Sequence, residues 1–390
     1  MKTFKMYAVM ALALLATACG SGSSGGDDNP PPPPPVTYSY SVPTQTNDGW
    51  ATGNIDDHGI DADIIMQMMD GINSGRFPGI DSVTIVRNNT LVLHAVYPRS
   101  LDKFDNWVGN ASTSRHVMHS TSKSFTAALI GIAIEHAYIA SVNIPFYDMF
   151  PYVSYQNPDP RKATMTLEDA LTMRLGLEWD EWSIPYATPG NDLEELMTNN
   201  SDYAKALLDL QMESDPGTTY TYNTAATIAI GQALQNAVGV SMASFAEQNL
   251  FQPLQIQNAQ WGRTPTGLAN GGSGLFMEPR DMIKLGQLFI DGGVWNGQQV
   301  LSPEWSAASV QSHVELGWSS TSGYGYQWWV DRFNYKGQPI ESWSTRGFGG
   351  QDIFCVPSLN LVVAFTAQNY ESNEFIPFTL MQDYILPSID

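Results

Sequence analysis

Residues 119–134 read HSTSKSFTAALIGIAI, and this stretch decides the fold. It opens with Ser120 and Lys123, three positions apart, and continues as an apolar run with helical spacing. Positions i and i+3 of a helix share a face, so the Lys123 amine can reach the Ser120 hydroxyl. Burial among apolar side chains lowers the pKa of an amine, as a general base requires. The stretch therefore predicts a helix that begins at a serine nucleophile paired with a lysine.

A second serine–lysine pair with the same spacing, Ser100 and Lys103, is the alternative nucleophile. Asp102 and Asp105 lie within and after this pair, and no apolar helical run follows. A lysine there stays in water and keeps its charge. We therefore favour Ser120 and keep Ser100 as the next candidate.

Composition excludes several classes of protein. Hydrophobic residues make up 43% of the 390, which is enough for a sizeable core and excludes a wholly disordered chain. The 18 Lys and Arg face 39 Asp and Glu, a net charge of −21 that disfavours nucleic acid as a partner. Two cysteines exclude a disulfide scaffold. His116 and His119 are the only close histidine pair, so we expect no metal site, and no cofactor is implied.

The N-terminal residues predict export. Residues 1–18 carry two lysines, an apolar run too short to span a bilayer and then small residues, which is typical of a secretory signal peptide. Cys19 follows the small residues and resembles a bacterial lipoprotein cleavage site, so we expect lipidation at Cys19 and a cell-envelope lipoprotein, in the outer membrane. An ordinary signal peptide with an incidental cysteine is the alternative. Residues 19–45, rich in Gly, Ser and Pro, are interpreted as a tether.

The remaining chain, residues 46–390, predicts one α+β domain. Two β-rich runs flank Asn88 and Asn89 and indicate a hairpin. A mainly helical subdomain is expected over about 135–315, followed by strands over 324–330, 350–356 and 359–366 and a helix over 375–386. A short helix is expected to begin with a capping-box pattern at residues 166–169 and to close at Gly176. The economical architecture is an antiparallel sheet built from both chain ends, flanked by helices, with the helical subdomain inserted.

Two further segments carry residues that suit the chemistry of Ser120. Tyr222 lies in PGTTYTYNT, residues 216–224, and Gly347 lies in TRGFGGQ, residues 345–351. With HSTSKSF, these segments resemble the three motifs of the serine β-lactamase and penicillin-binding-protein superfamily, in particular the class C-like β-lactamase-related hydrolases. That group includes esterases, D-amino-acid peptidases and nylon-oligomer hydrolases. The resemblance covers about residues 75–386.

The resemblance implies a role for each motif residue. Ser120 would be the nucleophile, with Lys123 and Tyr222 as general base and acid. Tyr222, held near the Lys123 ammonium, is expected to have a lowered pKa. The backbone N–H groups of Ser120 and Phe348 would form an oxyanion hole. Tyr220 is a close rival of Tyr222, and a literal motif match at 155–157 comes too early in the chain.

Three residues are expected to contact substrate, namely Thr224, Thr345 and Gly347. Thr224 replaces the usual Asn or Ser, so recognition of an amide there is in doubt. Thr345 stands where the family carries Lys or His. Side chains alternate along a strand, so Arg346 is expected to point away from a cleft that Thr345 faces.

These residues predict a serine hydrolase that cleaves ester or amide bonds of small substrates through an acyl-enzyme on Ser120. Five tryptophans near the motifs could line the cleft, and roughly three of them are expected in the core instead: Trp179, Trp182, Trp328, Trp329 and Trp343. Neutral short-chain esters are expected to be better substrates than β-lactams. The alternatives are a β-lactamase or D-amino-acid peptidase, and a lipid-anchored binding or sensor protein without turnover.

Overall fold

The central sheet joins the two ends of the chain. The computed structural model describes residues 37–318, 321–372 and 375–390. Their strands are β1 (Ala51–Thr52), β2 (Ile80–Arg87), β3 (Thr90–Val96), β4 (His116–Val117), β5 (Gln260–Trp261), β6 (Leu275–Met277), β7 (Val294–Trp295), β8 (Gln298–Gln299), β9 (Val314–Glu315), β10 (Thr321–Tyr324), β11 (Trp329–Tyr335), β12 (Gln338–Gly347), β13 (Gln351–Val356) and β14 (Leu361–Ala367). Nine of them form one sheet in the order β1-β3-β2-β14-β13-β12-β11-β10-β9.

The predicted hairpin and the predicted sheet from both chain ends are confirmed. β2 and β3 pair antiparallel across Asn88 and Asn89, whose φ angles of 49° and 60° suit the tight turn. On its other edge β2 pairs antiparallel with β14, in a register that sets Arg87 against Leu361. The N-terminal hairpin is thereby joined to the C-terminal strands, and the late hairpins β11–β12 and β13–β14 complete the sheet.

Helices cover both faces of the sheet. They are α1 (Ala62–Asn73), α2 (Ser122–Glu135), α3 (Leu167–Leu171), α4 (Asp192–Asn199), α5 (Tyr203–Leu208), α6 (Thr224–Val238), α7 (Met242–Ala246), α8 (Pro279–Met282), α9 (Lys284–Ile290), α10 (Pro303–Val310) and α11 (Ile376–Leu380), with a π-helical turn, Met381–Ile385, continuing α11. α2 is buried on nearly all sides, as its uninterrupted apolar run predicts. It packs against α6 and against the sheet in one continuous core, so the helical region shares its interior with the strands. α1 and the C-terminal helices bury a second cluster on the opposite face.

Several predicted boundaries are wrong. The strand expected over 324–330 is interrupted at 325–328, which connect the end of β10 to the start of β11 and in which Gln327 has a φ of 62°. The helix after Thr166 has its predicted capping box but ends at Leu171, before Gly176. The end of β12, at Thr345 and Arg346, was expected on a strand, but its first half was missed because it is polar and exposed and shows no apolar alternation.

The folded unit begins earlier than residue 46. Tyr38 and Tyr40 pack against the cluster beneath α1, and the Tyr40 hydroxyl donates to the Val92 carbonyl at 3.0 Å. These residues lie in the segment expected to be tether, so the boundary at residue 45 is too late. The signal peptide, the lipidation at Cys19 and most of the Pro-rich tether are predicted for residues outside the described ranges.

Candidate active site

Ser120 sits at the entrance to α2. It lies in a short 3-10 helix, His119–Thr121, that continues into α2. β4 fixes the approach, since it pairs with β6 and the Met118 N–H donates to the Leu275 carbonyl at 2.7 Å. His119 has a φ of 44°, an uncommon conformation for a residue with a side chain. Ser120 opens into a small cavity of about 40 Å³.

Lys123 lies beneath Ser120 and is 1% exposed. Its Nζ atom is 3.0 Å from Ser120 Oγ, 2.9 Å from Thr224 Oγ1 and 2.8 Å from the Gly272 carbonyl oxygen. Burial lowers the pKa of Lys123 to about 7, and the negative charge of Glu181 opposes that shift. A substantial fraction of this amine is therefore neutral near pH 7 and able to accept a proton.

Tyr222 stands on the other side of Ser120, at the base of an aromatic cluster. Its hydroxyl is hydrogen-bonded with Ser120, and its ring centroid is 5.0 Å from Lys123 Nζ. Trp182 and Trp329 stack on the Tyr222 ring with centroids 5.0 Å and 5.7 Å away. Burial, and then the charge of Glu181, raise the pKa of Tyr222 above its ordinary value. The expectation of a lowered pKa is wrong, because desolvation of the phenolate outweighs the help from its neighbours.

Thr224 holds Lys123 from the first turn of α6. Its Oγ1 accepts from Lys123 and donates to Glu181 Oε1 at 2.7 Å. The side chain is buried, and both of these contacts are internal. The Thr224 hydroxyl is therefore engaged with Lys123 and Glu181, although sequence analysis assigned Thr224 to substrate recognition.

Glu181 is the residue that sequence analysis missed. It is 2% exposed, and its carboxylate accepts hydrogen bonds from Trp179, Tyr186 and Thr224. Glu181 ends the run GLEWDE, residues 176–181, but no serine, lysine or tyrosine of the site lies close to it in sequence. In the sequence, Glu181 is marked only by its place at the end of this tryptophan-containing run, and such a position does not identify a functional residue.

Gly347 and Phe348 bring the end of β12 against Ser120. A Cβ atom on Gly347 would lie 2.4 Å from the Met118 carbonyl oxygen, so only glycine permits this approach. Phe348 follows the last residue of β12 and lines the same cavity as Ser120. Phe348 thus lies just beyond the paired part of β12, next to the cavity that Ser120 lines.

The expectation that Thr345 contacts substrate is wrong, whereas Arg346 lies on the other face of the strand, as alternation predicts. Thr345 is 1% exposed, and its hydroxyl bonds to Thr121 Oγ1 at 3.0 Å and to the Ile353 N–H at 3.1 Å, so it does not reach the cavity. Arg346 lies on the opposite face of β12, where it lines a cavity of about 510 Å³ together with Trp182 and Phe348. Alternation along the strand therefore holds, and Arg346 faces a second cavity that shares Phe348 with the cavity at Ser120.

Arg346 is itself held by an acidic partner. Its guanidinium forms an ion pair with the buried Asp331 and donates to Thr321 Oγ1 at 2.8 Å. It also lies over the Trp329 ring, 5.0 Å from the centroid. The positive charge beside the cleft is therefore neutralised from within the sheet.

The rival candidates lie elsewhere. Ser100 is exposed, and Lys103 Nζ lies over the Phe104 ring, 4.9 Å from its centroid. Tyr155 packs between Tyr147 and Tyr152, and the half-buried Tyr220 packs on Tyr324. None of these residues lines the cavity at Ser120.

The tryptophans divide as expected. Trp179, Trp328 and Trp343 belong to the main core, whereas Trp182 and Trp329 flank Tyr222. Trp182 is 49% exposed and forms part of the rim of the cleft.

Cys355 is buried in β13, as expected for a core residue, and burial raises the pKa of its thiol.

Two kinds of feature are absent from the described part of the chain. Over residues 37–318, 321–372 and 375–390, no three His, Cys, Asp or Glu side chains come together as metal ligands. Within the same ranges, no helix has both the length and the apolar character needed to cross a bilayer.

Comparison with known proteins points to one family. The model of the Beta-lactamase family matches residues 62–381. The 6-aminohexanoate-dimer hydrolase of Paenarthrobacter ureafaciens is 23% identical over 275 residues, which are 65% of this chain and 66% of that protein. A family VIII carboxylesterase structure has a TM-score of 0.61 at 13% identity and covers 85% of this chain and 98% of its own.

A third similar protein extends the range of activities. The beta-lactamase/D-alanine carboxypeptidase from Yersinia pestis has a TM-score of 0.58 at 16% identity, with 80% of this chain and 93% of that chain covered. At these identities the solved structures establish the shared fold. The described sheet, its flanking helices and the three motif segments agree with that fold.

Proposed function

Since the chain belongs to the Beta-lactamase family, we propose that it is a serine hydrolase that cleaves ester or amide bonds of small substrates through an acyl-enzyme on Ser120. The observation that carries the proposal is the 3.0 Å contact between Ser120 Oγ and the amine of the buried Lys123. An amine with a pKa of about 7 can take the serine proton at neutral pH. The activities named for the similar hydrolase and carboxylesterase support the same bond class.

The proposed acylation uses each group once. Neutral Lys123 accepts the Ser120 proton as Oγ attacks the carbonyl carbon, and the N–H groups of Ser120 and Phe348 donate to the developing oxyanion. Tyr222, which burial keeps protonated, donates its proton as the bond to the leaving group breaks. The Lys123 ammonium then returns a proton to Tyr222. Water attacks the acyl-enzyme in the second half, with Lys123 again as the base and Ser120 as the leaving group.

The cavity at Ser120 favours small, uncharged substrate groups. Its walls are mainly aromatic and aliphatic, and about 40 Å³ is open. The lining side chains include Phe104, Trp107, Tyr186, Leu193 and Met197. Such walls supply dispersion contacts and few hydrogen bonds, which suits a short acyl or alcohol group.

The β-lactamase alternative has one observation in its favour. Arg346 lines the cavity next to the one at Ser120 and could meet the carboxylate of a β-lactam there. Its ion pair with Asp331 opposes this, because a carboxylate already occupies the guanidinium. Because Asp331 already pairs with Arg346, we propose that neutral esters are better substrates than β-lactams.

We also propose that the protein is exported and lipidated at Cys19, as an outer-membrane lipoprotein. The basic, apolar and small-residue succession of residues 1–18 supports this proposal, as does the Pro-rich segment after Cys19. Attachment through the N-terminus would leave the site free to face solvent.

The proposed nucleophile is tested with a fluorophosphonate probe and p-nitrophenyl butyrate. Wild type should be labelled and should turn over the ester, whereas Ser120→Ala should lose both properties and stay folded. Ser124→Ala is the matched control, since Ser124 lies on the same helix but donates to the Gln327 carbonyl at 2.6 Å. Labelling that persists in Ser120→Ala would point to Ser100. A wild type that is neither labelled nor active would instead support a binding or sensor protein.

A further inference from the structure

We propose that Glu181 is a positioning residue which, through Thr224, directs the lone pair of the neutral Lys123 amine at the Ser120 hydroxyl. The inference deepens the proposed function and rests on it. It assigns a task to a buried carboxylate that does not contact the reacting atoms. The argument depends on which hydrogen-bond partners can only donate and which can only accept.

Every hydrogen-bond partner of Glu181 is able to donate. Oε2 accepts from the indole N–H of Trp179 at 2.9 Å and from the backbone N–H of Thr224 at 2.7 Å. Oε1 accepts from the hydroxyls of Tyr186 at 2.8 Å and Thr224 at 2.7 Å. An ionised carboxylate accepts only, so this environment matches the charged form of Glu181. Both hydroxyls must then point their protons at Oε1.

Thr224 is left with acceptor capacity alone. A hydroxyl has one proton, and that of Thr224 is committed to Glu181. Toward Lys123 Nζ, 2.9 Å away, Thr224 Oγ1 can therefore only accept. The third partner of Lys123, the Gly272 carbonyl oxygen, also only accepts.

These two fixed acceptors determine the orientation of the neutral amine. A neutral lysine amine has two N–H bonds and one lone pair. Thr224 Oγ1 and the Gly272 oxygen take the two N–H bonds, so the lone pair is left for Ser120 Oγ, 3.0 Å away. The Ser120 proton can then pass to Lys123 without prior rotation of the amine.

Glu181→Gln keeps nearly the same side-chain shape but replaces an acceptor with a donor in the hydrogen bonds that link residue 181, Thr224 and Lys123. The Trp179 and Thr224 N–H groups cannot become acceptors, so the glutamine oxygen must face them. Its NH₂ group then faces the Tyr186 and Thr224 hydroxyls and donates to them. The Thr224 proton is released toward Lys123, where it competes with Ser120 for the lone pair.

Among the titratable side chains described around Lys123, Glu181 is the one that carries a charge near pH 7. The others are His119 and Tyr222. Burial lowers the pKa of His119 to about 3 and raises that of Tyr222, so both are neutral near pH 7. Loss of the Glu181 charge should therefore lower the pKa of Lys123 further and move the acidic limb of kcat/KM to lower pH.

The experiment is a double-mutant cycle with p-nitrophenyl butyrate. Glu181→Gln and Thr224→Val should each reduce kcat about tenfold or more with little change in KM, because each removes a directed contact to the base. The double variant should be no slower than Thr224→Val alone, because Glu181 acts through the Thr224 hydroxyl. Losses that multiply in the double variant would overturn the inference.

Matched controls separate this role from general packing. Thr227→Val removes another buried hydroxyl of α6, one that donates to Gln327 Oε1 at 2.6 Å and does not touch Lys123. Glu168→Gln changes another glutamate, which accepts from the Tyr326 hydroxyl. Both controls should keep the wild-type pH profile. If they moved the acidic limb as Glu181→Gln does, a structural explanation would replace the proposed role.

A second measurement is independent of turnover. In protein labelled with ¹³C at lysine Cε, NMR titration reports the pKa of Lys123 directly, and Lys123→Arg identifies its signal. Glu181→Gln and Thr224→Val should both lower that pKa; an unchanged pKa in both variants would refute the inference. A wild type without esterase activity would refute the proposed function, whereas the titration would still test the Glu181–Thr224–Lys123 contacts. If Glu181→Gln did not fold, Thr224→Val alone would have to show both the lower pKa and the slower kcat.

Discussion

Replacement of the buried base should make the protein inactive and more stable. In the folded protein the pKa of Lys123 is about 7, against an ordinary value of 10.5. At pH 7 this difference means that holding Lys123 buried weakens folding by about 4 kcal/mol. Lys123→Met removes that cost but leaves the buried Gly272 oxygen without its donor, which costs about 1–3 kcal/mol, whereas Thr224 Oγ1 keeps its hydrogen bond to Glu181. The variant should therefore unfold with a free energy about 1–3 kcal/mol higher than wild type at pH 7.

The extra stability of Lys123→Met over wild type should disappear in alkaline solution. The folded pKa is lowered, so the penalty is fully present below pH 7 and fades as the pH rises toward 10.5, where the unfolded chain also loses the proton. At pH 10 the remaining penalty is below about 1 kcal/mol, and the lost hydrogen bonds dominate. Lys123→Met should then be equal to wild type or less stable.

Urea denaturation of both proteins at pH 7 and pH 10 measures this difference, and effects of other titrating groups cancel in the comparison. Lys284→Met is the matched control. Lys284 is equally buried, but its amine is 2.6 Å from Asp281 Oδ1. Removal of Lys284 leaves this buried carboxylate without its ion-pair partner and should therefore destabilise the protein. The reasoning would be refuted if Lys123→Met were destabilised by the same amount at both pH values.

Four further outcomes are expected. The kcat/KM for p-nitrophenyl butyrate should be half-maximal near pH 7 and fall about tenfold per unit below it, as Lys123 becomes protonated; a flat profile from pH 5 to 8 would exclude Lys123 as the base. Lys123→Arg should rescue little activity, because a guanidinium stays protonated, and an active Arg variant would transfer the base role to Tyr222. Wild type should prefer p-nitrophenyl butyrate to nitrocefin in kcat/KM, and Asp331→Asn should narrow the gap by freeing Arg346; a preference for nitrocefin in wild type would make Arg346 a carboxylate anchor. Cys19→Ser should move the protein from the carbonate-washed membrane fraction to the soluble fraction, and a soluble wild type would indicate an ordinary signal peptide.

The features that local sequence encodes were predictable. The Asn88-Asn89 turn and the apolar run after Ser120 each place their signal within a few residues. The sheet from both chain ends followed from strand runs near the two termini. The positions of Ser120, Lys123 and Tyr222 came from motif spacing, and the structure brings these residues together.

The features that depend on contacts between distant segments were not predictable. Glu181 reaches Lys123 through Thr224, and nothing in the spacing of these residues shows that they meet. The pKa of Tyr222 was misjudged because a charged neighbour is visible in sequence, whereas complete burial is not. Alternation placed Thr345 and Arg346 on opposite faces of the strand, but it could not show that Thr345 is buried and that Arg346 lines a neighbouring cavity.

The pairing of β2 with β14 has a consequence for how the chain acquires its fold. These neighbours in the sheet are separated by more than half of the sequence, and Ile60 forms a further bridge with Ile389. Contacts of such high sequence separation slow folding, because the loop must close before they contribute. The N-terminal hairpin has no completed sheet to join until the last strands have been synthesised. The central sheet therefore cannot close until most of the chain has been synthesised, and the export proposed above would have to pass the chain through the membrane before that closure.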